Sequence, residues 1–219
     1  MIIYHGSKSI VKEPEYKGSN PYNDYGPAFY MTLDLEAAQS WACKNNWVGV
    51  VNKYRIDNNS FKTLKILDLT NRSKYNVLNW VAILMHFRDL SPSFVKGHQQ
   101  ALKWLEKYYV NVDEYDVVIG FRADDAYFKF PLGFIDGSLA YDDLEMVYLK
   151  GNLGIQYAFI SKRAIKMIKF VKTINCEPAF LGHYYAAVSN ASKEVNEIMN
   201  LPRDYKKTYI FDLVRKDNG

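Results

Sequence analysis

The first residues that could do chemistry stand at the start of the chain, where His5 is followed by Gly6. A glycine lets another group approach the backbone closely. His5 and Gly6 could therefore offer an imidazole and a bare peptide edge to one ligand. A histidine satisfied by local hydrogen bonds accounts for the same pair. The next candidate is Asp24-Tyr25-Gly26-Pro27-Ala28-Phe29-Tyr30-Met31-Thr32. Its alternating aromatics suit an edge strand after a turn, and they equally suit an aromatic ligand wall. Trp41 follows Tyr30 by eleven residues. Core packing is the plain reading of that tryptophan.

These residues need elements to hold them. Met1–His5 reads as an apolar strand, and residues 8–27, with Pro14, Pro21, Pro27, Gly18 and Gly26, read as a loop. Ala28–Thr32 is a short aromatic strand. Asp34 is placed to cap a helix whose Ala37, Ala38, Trp41 and Ala42 share one face, with Glu36 favourable in its first turn. Val48–Ile56 and Leu64–Leu69 carry strand composition. Leu78, Val81, Ala82 and Met85, then Ala101, Trp104, Leu105 and Tyr108, fall at helical spacing on either side of Pro92. Residues 73–109 thus read as a helical hairpin inserted between strands. Asp116–Phe121 and Ile155–Ser161 return to strand, with short helices and loops across 123–150. Ala164–Phe170 fits a short helix or strand, 178–200 a helix, and Tyr209–Val214 a last strand. Strands, then helices, then strands favour an α+β fold over a regular βαβ alternation.

Composition sets the outer bounds. The chain has 219 residues, 48% of them hydrophobic, which suits one domain with a sizeable core. A net charge of +4 is too small to imply nucleic acid. Residues 150–219 carry 12 Lys/Arg against 6 Asp/Glu, so the excess is C-terminal, either solvated helix faces or a docking surface for an acidic or phosphate-bearing partner. Cys43 and Cys176 have no metal or disulfide spacing, and His86, His98 and His183 show no ligand spacing. No phosphate loop, GxGxxG or nucleophile elbow is present. The N-terminus lacks a basic region followed by an apolar stretch, and no apolar run is long enough to span a bilayer. The expectation is a cytoplasmic protein with no metal and no membrane contact.

YHGS at 4–7, then G-x-x-F-Y-x-T at 26–32 and a helix ending in S-W-A at 40–42, resembles the ADP-ribosyltransferase superfamily. The likeness is to the His-Tyr-Glu branch, which includes diphtheria toxin and the poly(ADP-ribose) polymerases. Over nearly the whole chain the sequence resembles, more closely, the bacterial domain of unknown function 3990 family. YDVVIGFRADDAYF at 115–128 and GNLGIQYAFISKRA at 151–164 carry that likeness.

The resemblance implies a split β-sandwich with a helical insert, and NAD as substrate. It implies that His5 binds the adenosine ribose and that the Gly6 backbone holds the nicotinamide carboxamide. Tyr30 would stack on nicotinamide, with Trp41 as the second stacking aromatic. Gln156 would occupy the position of the catalytic glutamate. Aromatic faces suit a flat cationic ring, at about 0.5–2 kcal/mol each. Glutamine at 156 keeps a hydrogen bond but brings no charge, and it cannot act as a base. Single ADP-ribose transfer to a macromolecular acceptor, protein or nucleic acid, fits this better than polymer formation. Arg122-Ala123-Asp124-Asp125 has two readings. It is a helix N-terminus capped by Asp124 or Asp125, or Arg122 binds a pyrophosphate and the aspartates take the acceptor's proton. The family also implies a toxin of a toxin–antitoxin or defence locus, neutralised by a small partner protein. An NAD glycohydrolase and a non-catalytic NAD-binding module stand as the alternatives.

Overall fold

The structure, a computed structural model, describes residues 1–44, 47–123, 127–149 and 154–218. Its elements in chain order begin with β1 (Ile2–Ser7), β2 (Phe29–Met31), α1 (Leu35–Ala42), β3 (Val50–Arg55), α2 (Asn58–Lys62) and β4 (Ile66–Asp68). Then come α3 (Val77–Phe87), α4 (Pro92–Gly97), α5 (Gln99–Leu105), β5 (Val117–Phe121), α6 (Lys129–Asp136) and α7 (Tyr141–Leu149). The chain closes with β6 (Ile155–Phe159), α8 (Lys162–Lys166), β7 (Lys169–Asn175), α9 (Phe180–Met199) and α10 (Ile210–Asn218). The fold is α+β, with two open sheets: β1-β3-β7, and β2-β6-β5-β4.

The inner faces of the two sheets share a core. Ile3 and Tyr54 from one meet Phe29, Met31, Val117 and Phe159 from the other. The outer face of the first sheet is covered by α1, where Ala38, Ala42 and Cys43 pack on Val51 and Cys176. The outer face of the second is covered by α3, α6 and α7 in the largest cluster. Both cysteines are buried and free. Among the described residues no helix is long and apolar enough to cross a membrane.

Three sequence-based expectations change. The helical segment 73–109 is more than an insert. β4 and β5 pair in parallel, and α3, α4 and α5 make the crossover that a parallel pair requires. Asn79 locks this crossover by donating from Nδ2 to the Tyr108 carbonyl at 2.9 Å. Second, Tyr209–Val214 is not a strand: helix α10 begins at Ile210 and takes in the rest of the segment. Its aromatic and β-branched residues have strand propensity. However, Ile210 and Val214 lie one helical turn apart and are both buried in the large cluster. Tertiary burial of that helical face outweighs local propensity. β7 also runs on to Asn175, beyond the expected short element, and completes the first sheet against β3.

Candidate functional site

Position in the sheets decides what β1 can present. Tyr4 and Thr32 exchange backbone hydrogen bonds of 2.8 and 2.9 Å, the single bridge joining the two sheets among the described residues. Backbone groups alternate between the two edges of a strand. Tyr4 turns its N–H and C=O toward Thr32, so Gly6, two residues on, turns its own the same way. β2 ends at Met31, so this edge of Gly6 borders the space where the sheets part.

That space is a cavity of about 1020 Å³. Drug-sized ligand pockets run from about 300 to 1,000 Å³, so this one admits a large ligand. His5, Gly6, Tyr30, Trp41, Arg122 and Gln156 all line it. The expected site residues on the described part of the chain thus meet in one place, although they come from β1, β2, α1, the end of β5, and β6. Asp124 and Asp125 lie outside the described residues.

Each residue has a local reason to be where it is. His5 Nδ1 lies 2.8 Å from the Tyr30 carbonyl, and its ring packs on Phe29 at 4.4 Å between centroids. A carbonyl can only accept, so Nδ1 carries the proton. Burial holds the imidazole below its ordinary pKa, and the neutral ring keeps Nε2 as an acceptor. Gly6 is glycine chiefly because α1 crosses it. A Cβ there would stand 2.0 Å from the Ala38 carbonyl oxygen. The group that needs close approach is therefore a helix, whatever ligand the other edge meets. Asp34 caps that helix, accepting from the Glu36 and Ala37 N–H groups.

Trp41 departs from the core-packing reading. It is 37% exposed, and only Ala38 and Ala42 of α1 are buried. Lys44 Nζ stands 4.6 Å from its ring centre and the Arg122 guanidinium 5.3 Å. Tyr184 from α9 meets it edge-on at 5.9 Å. Trp41 therefore gathers cations at the cavity rim, each contact worth about 0.5–1 kcal/mol. That suits the anionic part of a ligand better than a second cationic ring.

Asp24 and Arg88, to which sequence reasoning gave no role, complete the other wall with Gln156. Gln156, on the central strand β6, donates from Nε2 to Asp24 Oδ2 at 2.8 Å. The Ala123 N–H donates to the same oxygen at 2.8 Å, and Arg88 Nη1 reaches Oδ1 at 3.3 Å. Asp24 is buried, and desolvation raises its carboxyl to about 6 against the pull of Ala123, Arg88, Gln156 and Arg122. The loop carrying it is clamped. Tyr30 Oη accepts from the Tyr25 N–H at 3.1 Å and donates to the Gly26 carbonyl at 2.7 Å. Tyr25 Oη donates to the Phe121 carbonyl at 2.6 Å. Gly26, at φ 75°, makes the turn that a side chain would strain. Nothing local in the sequence pairs position 24 with 88, 123 and 156.

A third missed residue is Asn52 on β3, fully buried. Its Oδ1 accepts from the Val11 N–H at 2.9 Å, and its Nδ2 donates to Ser7 Oγ at 2.9 Å and toward the Ser9 carbonyl at 3.3 Å. It ties the start of the 8–27 loop back to the sheet beneath His5. Its only sequence signal is a polar residue inside a β-branched run.

The site thus combines neutral acceptors (His5 Nε2 and the Gln156 amide oxygen), an open peptide edge, an aromatic ring, and cations at Lys44, Arg88 and Arg122. Such a set suits a ligand bearing hydroxyls, an amide, a flat ring and phosphates. The family model described as "Protein of unknown function (DUF3990)" matches residues 1–170, and the chain belongs to that family. No curated protein and no solved structure matches it.

Proposed function

We propose that this member of the DUF3990 family is an NAD-dependent mono-ADP-ribosyltransferase acting on a macromolecule. The observation that carries the reading is the convergence of His5, the Gly6 edge, Tyr30 and Gln156 on one cavity. The resemblance to ADP-ribosyltransferases brings those residue types together in order along the chain, and the fold brings them together in space. Two sheets held at Tyr4–Thr32 and parted beyond it also agree with the split β-sandwich the resemblance implies.

The chemistry follows from the groups present. The Gly6 peptide edge matches the donor and acceptor of a carboxamide. The Tyr30 ring is held by its hydroxyl and offers a face to nicotinamide. His5 Nε2 accepts from a ribose hydroxyl. Lys44 and Arg122, gathered at Trp41, meet the pyrophosphate. When the C1′–N bond breaks, its electron pair leaves with nicotinamide, which becomes neutral. The ribose carbon then carries an oxocarbenium-like charge until the acceptor adds and sheds its proton.

As a cytoplasmic toxin with a small neutralising partner, the protein would arrest growth on induction. The test is nicotinamide release from NAD by the purified chain, with mass analysis of products with and without cell lysate. Label transferred to a lysate macromolecule supports the transferase, and free ADP-ribose alone supports the glycohydrolase. Growth arrest that His5→Ala and Tyr30→Ala both leave unchanged would sink the NAD account.

A further inference from the structure

We propose that Asp24 is a positioning residue for Gln156: it turns the amide oxygen of Gln156 toward the ligand and supplies the anionic charge that glutamine at this position lacks. This rests on the NAD-cleavage reading above.

The argument is one of donors and acceptors. An ionised carboxylate only accepts. The atom of Gln156 that faces Asp24 Oδ2 at 2.8 Å must then be the amide nitrogen, and Oε1 points away from Asp24. Gln156 lines the cavity, so Asp24 decides that an acceptor, not a donor, is presented to a ribose hydroxyl. A glutamine without such a partner can flip end for end. A hydrogen bond to a charged acceptor is about twice as strong as a neutral one, and it draws electron density toward Oε1.

Asp24 is built for this role. Both of its oxygens are engaged, by Ala123 and Gln156 on one and Arg88 on the other. The loop around it is clamped by the hydroxyls of Tyr30 and Tyr25. Among the described residues, the charged and titratable groups facing it are Arg88 after α3, Arg122 after β5, and Tyr25 and Tyr30 on its own loop and on β2. Protonated Asp24 must donate one hydrogen, so among the described residues Arg88 loses its acceptor if the proton sits on Oδ1, and Ala123 or Gln156 if it sits on Oδ2. A proton on Oδ2 is one that Gln156 Oε1 can accept, so Asp24 no longer dictates the amide's orientation below the carboxyl's pKa of about 6. His5 in the same cavity is held below its ordinary value, so the two groups need to be told apart by mutation.

The experiment measures nicotinamide release from NAD by the full chain in four forms: wild type, D24N, Q156E and the double variant. Asparagine at 24 keeps the shape and removes the charge. Turnover in D24N is expected to fall by about tenfold, mainly in kcat, and its acid limb near pH 6 is expected to disappear. Q156E places two carboxylates within hydrogen-bond distance, where both cannot stay ionised. It is expected to be less active than wild type, although it installs the superfamily's glutamate. Adding D24N should restore Q156E by about tenfold, because the carboxylate–amide pair is re-formed with its ends exchanged.

Wild-type turnover and acid limb retained in D24N overturn the inference, as does Q156E matching wild type with no gain from D24N. A wild-type chain that releases no nicotinamide overturns the NAD reading, and the catalytic role of Asp24 with it. In that case the Asp24–Gln156 contact is still tested by the Gln156 side-chain amide resonance. It should shift as pH is raised through about 6 in wild type and stay put in D24N. A resonance indifferent to that titration overturns the positioning as well.

Discussion

The two walls of the cavity are made in different ways. The first, β1 with α1, presents backbone and a neutral ring: the Gly6 edge and His5. Its parts lie within about forty residues and are held by strand pairing, a helix cap and one close helix crossing. The second wall presents buried charge. Asp24, Arg88, Ala123 and Gln156 come from four separate segments and meet around one carboxylate. The first wall is rigid because hard backbone groups are in contact. The second is held by hydrogen bonds that converge on one buried carboxylate. The proposed NAD cleavage would use both: a fixed frame to grip the ring, and a polar corner whose charge acts in the transition state.

The sharpest way to break that contrast is Gly6→Ala. A methyl 2.0 Å from the Ala38 carbonyl forces α1 off β1. The loss in urea-unfolding free energy should be about 3 kcal/mol or more, nearly independent of pH, as expected for overpacking against backbone. The second wall should behave in the opposite manner. Burial raises Asp24 to about 6, above its unfolded value of 3.8, so the folded state holds this proton more tightly. The stability this confers is present below about pH 4, is lost as pH rises through about 6, and is flat above. Compared with D24N, the wild type should lose up to about 3 kcal/mol between those limits, read from urea midpoints across the range. A flat difference curve would show that Asp24 titrates as an ordinary surface carboxyl.

Smaller effects sharpen the comparison. Asn52→Ala removes the ties that hold residues 7–11 to the first sheet and should cost about 1–2 kcal/mol in thermal unfolding. If the protein cleaves NAD as proposed, the effect on that reaction should enter through KM, since the frame loosens and the charged corner does not. Tyr30→Phe removes the hydroxyl that clamps the Asp24 loop, at about 1 kcal/mol of stability, and should depress kcat more than KM. Trp41→Leu should be the mildest. On the proposed function, releasing Lys44 and Arg122 from the ring should weaken NAD binding about threefold by calorimetry and leave the melting temperature almost unchanged.

How much was legible in the sequence follows the same division. His5-Gly6, the aromatic strand at Tyr30, the Asp34 cap and the helices of 73–109 are each written in a local run of residues. Periodicity, capping and strand propensity act over a turn or a few residues, and the α+β class follows from their order. The Tyr209–Val214 segment shows the limit of that reasoning. Its strand composition was overruled because the partner available to Ile210 and Val214 was a helical layer and not a sheet edge. Trp41 shows it too: its spacing placed it on the right helix, yet whether it is core or rim depends on Lys44, Arg122 and Tyr184.

By itself, then, the sequence determined the N-terminal half of the site: a histidine and glycine at a strand end, an aromatic strand after a glycine turn, and a capped helix following it. These are short-range facts, because backbone conformation and capping depend on neighbours in the chain. Only the tertiary structure decided that Gln156 stands against Asp24, and that Arg88 and Ala123 complete the carboxylate's shell. A buried charge selects its partners by distance in space and by desolvation. Neither quantity exists until the strands have been set side by side.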